Sequence, residues 1–423
     1  MASTGSNSSA PAADAATTRA DILVALTSHN DARTVGGVVR AVAGGLSQYF
    51  GDLSAQVVLA DGGSTDATRE AAREALGGAG LVELEYPLQP ALADVPYHGH
   101  PHRARAVRAA FQEAARLEAR ACVLLDASLN AVEPAWVGRL IGPVLAGRAE
   151  FVGAHFVRHV HEGALTKGIV YPVFRALYGV RLRQPASSEF GCSARVAASC
   201  LEQDFWETEL APSGIDLWVT TTAVSSGYGV CEAALGPRQA AAREAATDLS
   251  TTLAQVVGAL FTDLDHRVDI WQRVRGSTPV PLVGEDPDAG SDVRPMAIEG
   301  LIESFRLGYR ELREIWTWVL PPRAIVELRR LAAAPPEQFR FDDRLWASVI
   351  YDFAFGFSQR VMPRSQLLRS LTPLYSGWLA SFVQELRHAT QAEIEARVER
   401  LCQGFEAEKR HLISRWRWPE KLR

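Results

Sequence analysis

The sequence predicts an α/β protein: a mostly parallel, Rossmann-like sheet flanked by helices, followed by a helical C-terminal part. Three observations lead there. DILVALTS (21–28), AQVVLADGG (55–63) and ACVLLDAS (121–128) are short, nearly unbroken apolar runs, the signature of strands buried on both faces. Longer amphipathic stretches separate them, as βαβ units require. Beyond about residue 235 the strand signals fade, and apolar residues recur at three- and four-residue steps.

The elements follow in order. DILVALTS is the first strand and NDARTVGGVVRAVAGGLSQYF (30–50) the first helix. AQVVLADGG is the second strand, ending on Asp61 and two glycines. Ser64 offers a capping oxygen to the helix TDATREAAREAL, with Asp66 in its first turn at the positive dipole end. LVELEY (81–86) reads as a third strand, and Val107, Phe111, Ala114 and Glu118 place a helix over 104–118 before the strand that ends at Asp126. In the C-terminal third, Ile298, Leu301, Phe305, Leu312, Trp316 and Val319 mark one helix, and Leu345, Val349, Phe353 and Phe357 another. STPVPLVGEDPDAGSDVRP (277–295) is rich in Pro, Gly and Asp and reads as the connection. The expected division is a disordered tail (1–20), a ligand-binding unit (21–265) and a helical unit (266–423) with its linker around 277–295.

Composition narrows the class. A chain of 423 residues has room for two domains, or for one with a large extension. The net charge is -5 and no Lys/Arg block stands out, which argues against nucleic acid or an acidic membrane as partner. No apolar run approaches the ~18 residues needed to span a bilayer. Cys122, Cys192, Cys200, Cys231 and Cys402 are odd in number and lack CxxC spacing, so they read as reduced, buried thiols. The N-terminal stretch MASTGSNSSAPAADAATT has no apolar core of a targeting signal, and a cytoplasmic location is expected.

In parallel sheets the binding crevice lies at the carboxyl ends of the strands, which is where Asp61 and Asp126 fall. LLDASLNAVEPAW (124–136) then poses a question, because Ser128 stands where a second acid would make a metal site. A carboxylate capping a turn is the plain alternative for either aspartate. His98, His100 and His102 alternate in YHGHPHR, a spacing open both to a metal group and to solvated histidines on a loop that Pro101 interrupts.

LADGGSTDAT, GIVYPVFRALYGVRLRQP, LEQDFWET, GIDLWVTTTA and FDDRLWASVIYDF resemble the retaining GT-A glycosyltransferases that make glucosylglycerate, mannosylglycerate or glucosyl-3-phosphoglycerate. The similarity runs from about residue 21 to the C-terminal helices and is densest over 165–232. It implies a nucleotide-sugar donor, a small hydroxy-acid acceptor such as D-glycerate, and a product of the compatible-solute kind, with glucose the expected hexose.

By that resemblance Asp61, Arg103, Asp126, Glu189 and Arg238 are donor-binding candidates, and Arg158, Glu162 and Thr166 acceptor-binding ones. Asp216 is the catalytic candidate beside the acceptor hydroxyl, with Gly214 expected to open a helix there. The family holds Mg2+ or Mn2+ through an Asp-x-Asp pair and a histidine. Here those positions are Asp126-Ala127-Ser128 and Ala240, and a hydroxyl and a methyl are poor replacements as ligands. The family's P-G-K-G-N-A loop is Pro101-His102-Arg103-Ala104-Arg105-Ala106, and its Q-P-x-G-G-[DE] loop is Gln184-Pro185-Ala186-Ser187-Ser188-Glu189. The expectation is therefore no metal cofactor, with Arg103, Arg105 and Arg238 as fixed cations for the leaving diphosphate.

Two functions remain open on the sequence: a hexosyltransferase, and a glycosyltransferase-like protein that has lost catalysis and serves as a binding or regulatory subunit. In the second case the helical C-terminal part is the expected surface for pairing with an active paralogue, while its Trp316, Trp318 and Trp378 are open to a homodimer surface and to the core of that part.

Overall fold

The computed structural model describes residues 19–77, 80–88, 96–157, 163–208, 211–239, 248–285 and 297–417. In chain order these form β1 (Ile22–Ser28), α1 (Val35–Phe50), β2 (Ala55–Asp61), α2 (Thr68–Ala75), β3 (Leu81–Glu83), α3 (Arg103–Arg116), β4 (Ala121–Asp126), α4 (Pro134–Leu145) and β5 (Phe151–Val157). A π-helical turn, Thr166–Val170, leads into α5 (Tyr171–Tyr178). Then come β6 (Val180–Arg181), β7 (Phe190–Ser193), α6 (Ala194–Leu201), α7 (Ala211–Ser225), β8 (Val230–Pro237), α8 (Leu249–His266), α9 (Val268–Trp271), β9 (Thr278–Pro279) and β10 (Leu282–Val283). The helical C-terminal part comprises α10 (Ile298–Thr317), α11 (Pro322–Ala333), α12 (Asp343–Ser358), α13 (Arg364–Ser370), α14 (Thr372–Glu385) and α15 (Gln391–Arg417).

The main sheet has the order β10-β8-β5-β7-β4-β1-β2-β3. Every pairing in it is parallel except those of β7, which runs antiparallel to both β4 and β5. The two-residue side-chain period of the strands divides the core. Ile22, Val24 and Leu26 of β1, with Val123 and Leu125 of β4, join the cluster that includes Val38, Val42, Trp136 and Leu140 of α1 and α4. Leu23 and Ala25, with Cys122 and Leu124, face the opposite cluster, which takes in α3, α5 and α7 and continues without a break into the C-terminal helices. Both faces of these strands are covered, which is why they read as continuous apolar runs.

Local details depart from the sequence reading. Ser64 does not cap α2: its hydroxyl donates to Asp61 Oδ1 at 2.5 Å, and Asp66 Oδ1 accepts the Thr68 N–H at 3.1 Å. Gly214 does not open a helix either. It lies within α7, where a Cβ would stand 2.7 Å from that of Ala259 in α8, so its lack of a side chain serves helix packing. The first part of the expected linker is bonded into sheets, with β9 on β6 and β10 on β8; residues 286–295 of it lie outside those described. The five cysteines are free and buried. No helix among the described residues is long and apolar enough to cross a membrane.

Two of the contacts by which the C-terminal helices grip the sheet domain stand out. Trp346 stacks on Trp378 at 5.6 Å and donates its indole N–H to Gly168 O of the π-helical turn at 2.9 Å. Gly168 is obligatory there, because a Cβ would come within 2.2 Å of the Trp378 ring. At the second point the buried Arg175 of α5 reaches α15: it binds both carboxylate oxygens of Glu399 and donates to Glu406 at 2.8 Å. Trp316 and Trp378 are core residues, whereas Trp318 is 67% exposed.

Arg175→Met should lower stability by about 2 kcal/mol, because it strips a buried fork from two carboxylates that water can partly resolvate; urea unfolding at constant m-value measures it. The hydrogen bonds from Arg175 hold the Glu399 carboxyl down at about 2, against an ordinary 4.5. A depressed carboxyl contributes stability above its unfolded value and loses it as pH falls through the folded one. Acid unfolding should therefore show a stability loss between about pH 4.5 and 2 that is blunted in Arg175→Met.

Candidate functional site

The carboxyl ends of β1, β2 and β4 place Thr27 and Ser28, Asp61, and Asp126 along one edge of the sheet. Asp61 is saturated by its own turn. It accepts from Ser28 Oγ at 2.9 Å, from Ser64 N at 2.9 Å and from Gly63 N at 3.2 Å, and pairs with Arg69 at 2.9 Å. Burial alone would raise its carboxyl, but these donors hold it below the ordinary range. Asp126 is buried and its Oδ1 accepts the backbone N–H of Ser128 at 2.9 Å.

Beside Asp126 lies a buried polar cluster built from distant parts of the chain. Arg103, the first residue of α3, is 0% exposed. Its Nε donates to Asp216 Oδ2 at 2.8 Å and its Nη2 to Asp216 Oδ1 at 2.8 Å. Nη2 also reaches Ser188 O at 2.6 Å, and Nη1 reaches Thr27 Oγ1 at 2.7 Å. One guanidinium thus ties α3, α7, β1 and the 184–189 loop together. Burial would lower the Arg103 cation, and the charges of Asp216, Asp126 and Glu189 more than offset it. Burial pushes the Asp216 carboxyl up, opposed by the Arg103 charge and its hydrogen bonds.

Glu189 is fully buried; it accepts from Ser187 Oγ at 3.0 Å and from Arg238 Nη2 at 3.3 Å. Arg238 also lies over the Phe156 ring at 5.9 Å. Of the two serines in place of glycines, Ser187 has a visible use, its hydroxyl donating to Glu189, whereas Ser188 meets Arg103 only through its backbone carbonyl. Among the described residues, Arg103 feels the charges of Asp216, Asp126 and Glu189, and Arg238 those of Glu189 and Asp126.

The 184–189 loop connects this cluster to a cavity of about 210 Å³ at the carboxyl end of β5. His155, Phe156 and Val157 form its floor, Thr166, Lys167 and Tyr171 one side, and Arg183 and Gln184 another. Gln184 Nε2 donates to Phe156 O at 2.6 Å, which fixes the loop against the floor. Arg183 is held by Glu232 of β8, its Nε 2.8 Å from Oε2. The remaining wall comes from α15. Burying small polar groups among apolar ones in a concave space is the usual composition of a small-molecule site.

Of the residues singled out from the sequence, Arg103, Asp126, Glu189, Asp216 and Arg238 are brought together, and Thr166 lines the adjoining cavity. Asp61 is engaged in its own turn, and Arg105 turns outward to donate to Pro87 O at 3.0 Å. Arg158, Glu162 and Ala240 lie outside the described residues. His98 does not stand on an extended strand: its Nδ1 accepts the His100 N–H at 3.1 Å, so Nε2 carries the proton donated to Pro212 O at 2.8 Å. Lys167, Arg183, His155 and the α15 residues escaped the sequence reading, although Arg183 stands next to the singled-out Gln184.

No family model matches the chain, and no curated protein matches it. Solved structures do. Glucosyl-3-phosphoglycerate synthase from Mycobacterium tuberculosis with Mn2+, UDP and glucosyl-3-phosphoglycerate is 21% identical over 58% of this chain and 80% of that one, with a TM-score of 0.43. The same enzyme with Mg2+ and UDP is 22% identical over 58% and 79%, at 0.43. With Mn2+, UDP-glucose and phosphoglyceric acid it is 22% identical over 63% and 90%, again at 0.43.

The expectation of no metal cofactor is corrected by these structures, which hold Mn2+ or Mg2+ together with UDP. Substitution at two ligand positions, Ser128 and Ala240, does not decide the cofactor of a chain. Among the described residues no three His, Cys, Asp or Glu side chains gather as a metal cage.

The Arg103–Asp216 pair should behave as a buried ion pair. Arg103→Met leaves Asp216 uncompensated and should cost about 3–5 kcal/mol, Arg103→Lys should recover little because three nitrogens are in use, and Arg103→Met with Asp216→Leu should recover most of the loss. Chemical unfolding of the four proteins closes the cycle.

Proposed function

We propose that this protein transfers a hexosyl group from a nucleotide-sugar to a small hydroxy acid. The observation that carries the reading is the meeting, across the 184–189 loop, of the buried cluster at the β4 end with the cavity at the β5 end. The first occupies the strand-end crevice where α/β proteins bind nucleotides. The second has the size and polarity for a small acid. The resemblance of the 165–232 segment to retaining hexosyltransferases supports the same assignment.

In this reading Thr166 hydrogen-bonds the acceptor and Lys167 attracts its carboxylate, while Asp126, Glu189 and Arg238 border the donor. The acceptor hydroxyl oxygen bonds to the anomeric carbon as the bond from that carbon to the diphosphate breaks. The bonding pair leaves with the nucleoside diphosphate, and the hydroxyl proton passes to a departing phosphate oxygen. No side chain is assigned as nucleophile. Both oxygens of Asp216 are engaged by Arg103, so Asp216 acts as a positioning residue that aims the Arg103 fork.

A second reading has its own observation. Arg103 fills the space beside Asp126 and spends its hydrogen bonds inside the protein, as in a glycosyltransferase-like subunit that binds without turnover.

Incubation with UDP- or GDP-glucose and D-glycerate, with Mn2+ or Mg2+ supplied, should release nucleoside diphosphate together with a glucoside. Donor binding by calorimetry without any product favours the second reading, and no binding to any donor rejects both. Thr166→Val should raise the acceptor KM about tenfold with the donor KM unchanged.

A further inference from the structure

One wall of the cavity is not built by the sheet domain. Gln391, Ile394, Glu395, Val398 and Glu399 recur at the three- and four-residue steps of a single helix face, and they set α15 across from Thr166, Lys167 and Arg183. Two carboxylates thereby face two cations around one small space. Most of these charges are already matched. Arg183 is bound by Glu232, with its backbone N–H donating to Oε1 at 2.5 Å as well, and Glu399 is bound by Arg175. Glu395 differs: it is exposed at the rim, it accepts from Gln391 Nε2 at 2.9 Å, and among the described residues no ion pair reaches it.

We infer that the cavity selects a small hydroxy acid bearing one negative charge over the phosphorylated form of the same acid, and that Glu395 is a residue determining this choice. The inference rests on the acceptor assignment above and deepens it. A carboxylate alone brings a single charge, which the lining can accommodate. A phosphate monoester adds about −1.5 to −2 more at neutral pH. Among the described lining residues there is no matching surplus of cations, Lys167 and Arg183 being balanced by Glu395 and Glu399. Glu395 adds a repulsion that grows with the charge of the ligand, a rejecting element of the kind that specificity requires. Because Glu395 is exposed, water and salt screen the effect, so it tunes the preference and does not abolish binding.

Isothermal titration of the full-length protein with D-glycerate and with 3-phospho-D-glycerate tests the inference. UDP-glucose with Mn2+ is titrated separately as a measure of the donor side. The wild type should bind D-glycerate about tenfold more tightly. Glu395→Lys should narrow that ratio by about 3–5-fold, chiefly by tightening the phosphorylated acid, with Glu395→Gln moving it the same way by less. The gap should also shrink as ionic strength rises. Tighter binding of the phosphorylated acid by the wild type, or a ratio unmoved by Glu395→Lys, overturns the inference while leaving the hexosyltransferase reading intact. If UDP-glucose binds and neither acid does, the inference falls together with the acceptor assignment. Unchanged thermal midpoints in both variants confirm that any shift arises in the cavity and not from unfolding.

Discussion

The strand-end crevice depends on one buried interaction, the fork of Arg103 on Asp216. A guanidinium taken wholly out of water is tolerated only where its donors are satisfied and its charge is met. Arg103 meets both demands by drawing on α7, on the Thr27 hydroxyl of β1 and on the Ser188 carbonyl of the loop. The consequence is mechanical as well as electrostatic. The first residue of α3 is pinned to the sheet edge, and the loop carrying Ser187, Ser188 and Glu189 is drawn over it. Glu189 and Arg238 then complete a set of charges that answer one another inside the protein. Removing any one of them leaves another uncompensated, so the group is expected to change as a unit if it changes at all.

The cavity is set by a different constraint, the packing of the C-terminal helices on the π-helical turn. A π turn leaves the backbone locally wide, and such turns are rare and frequently lie at functional sites. Here the widened backbone is held from outside. Trp346 satisfies the Gly168 carbonyl, and Trp378 occupies the space where any side chain on residue 168 would lie. Thr166 and Lys167, just upstream, inherit their placement from that grip. The same helical part sends α15 across the opening, so the helices are as much a component of the cavity as the strands are.

Much of this was legible in the sequence, for definite physical reasons. Strands buried on both faces leave unbroken apolar runs, so the sheet could be read directly, along with the acids Asp61 and Asp126 that end β2 and β4. Local polar chemistry was less readable. Ser64 and Asp66 look like a helix start, yet the strand-end carboxylate of Asp61 competes for the Ser64 hydroxyl and wins it. Gly214 looks like a helix opener because nothing in the neighbouring residues announces α8, the partner it must let approach. The pairing of Arg103 with Asp216 spans more than a hundred residues and leaves no periodic trace, although both residues had been singled out separately by resemblance. The contribution of α15 was invisible for the same reason: nothing near Gln391, Glu395 and Glu399 in the sequence announces that the fold sets Lys167 and Arg183 opposite them.

The two halves of the site are joined through very little material, and that has a bearing on how ligands could meet there. Gln184 is bonded to the Phe156 carbonyl on the cavity side, while the Phe156 ring lies beneath Arg238 on the cluster side. Ser188 and Glu189, a few residues on, belong wholly to the cluster. A ligand that pressed on Gln184 would therefore act through one short, tethered loop on the residues that hold Arg103 and Arg238. Conversely, a charge arriving beside Asp126 would compete with the carboxylates for those same guanidiniums. Arg103 and Arg238 are already engaged by Asp216 and Glu189, so a further anion that draws on them must displace an internal pair. The Arg103 fork is the stronger pair, with several short contacts and complete burial, whereas Arg238 makes a single longer contact with Glu189 and is partly exposed. Arg238 is accordingly the group with most freedom to turn toward an incoming phosphate, and its position over Phe156 links that movement to the floor of the cavity.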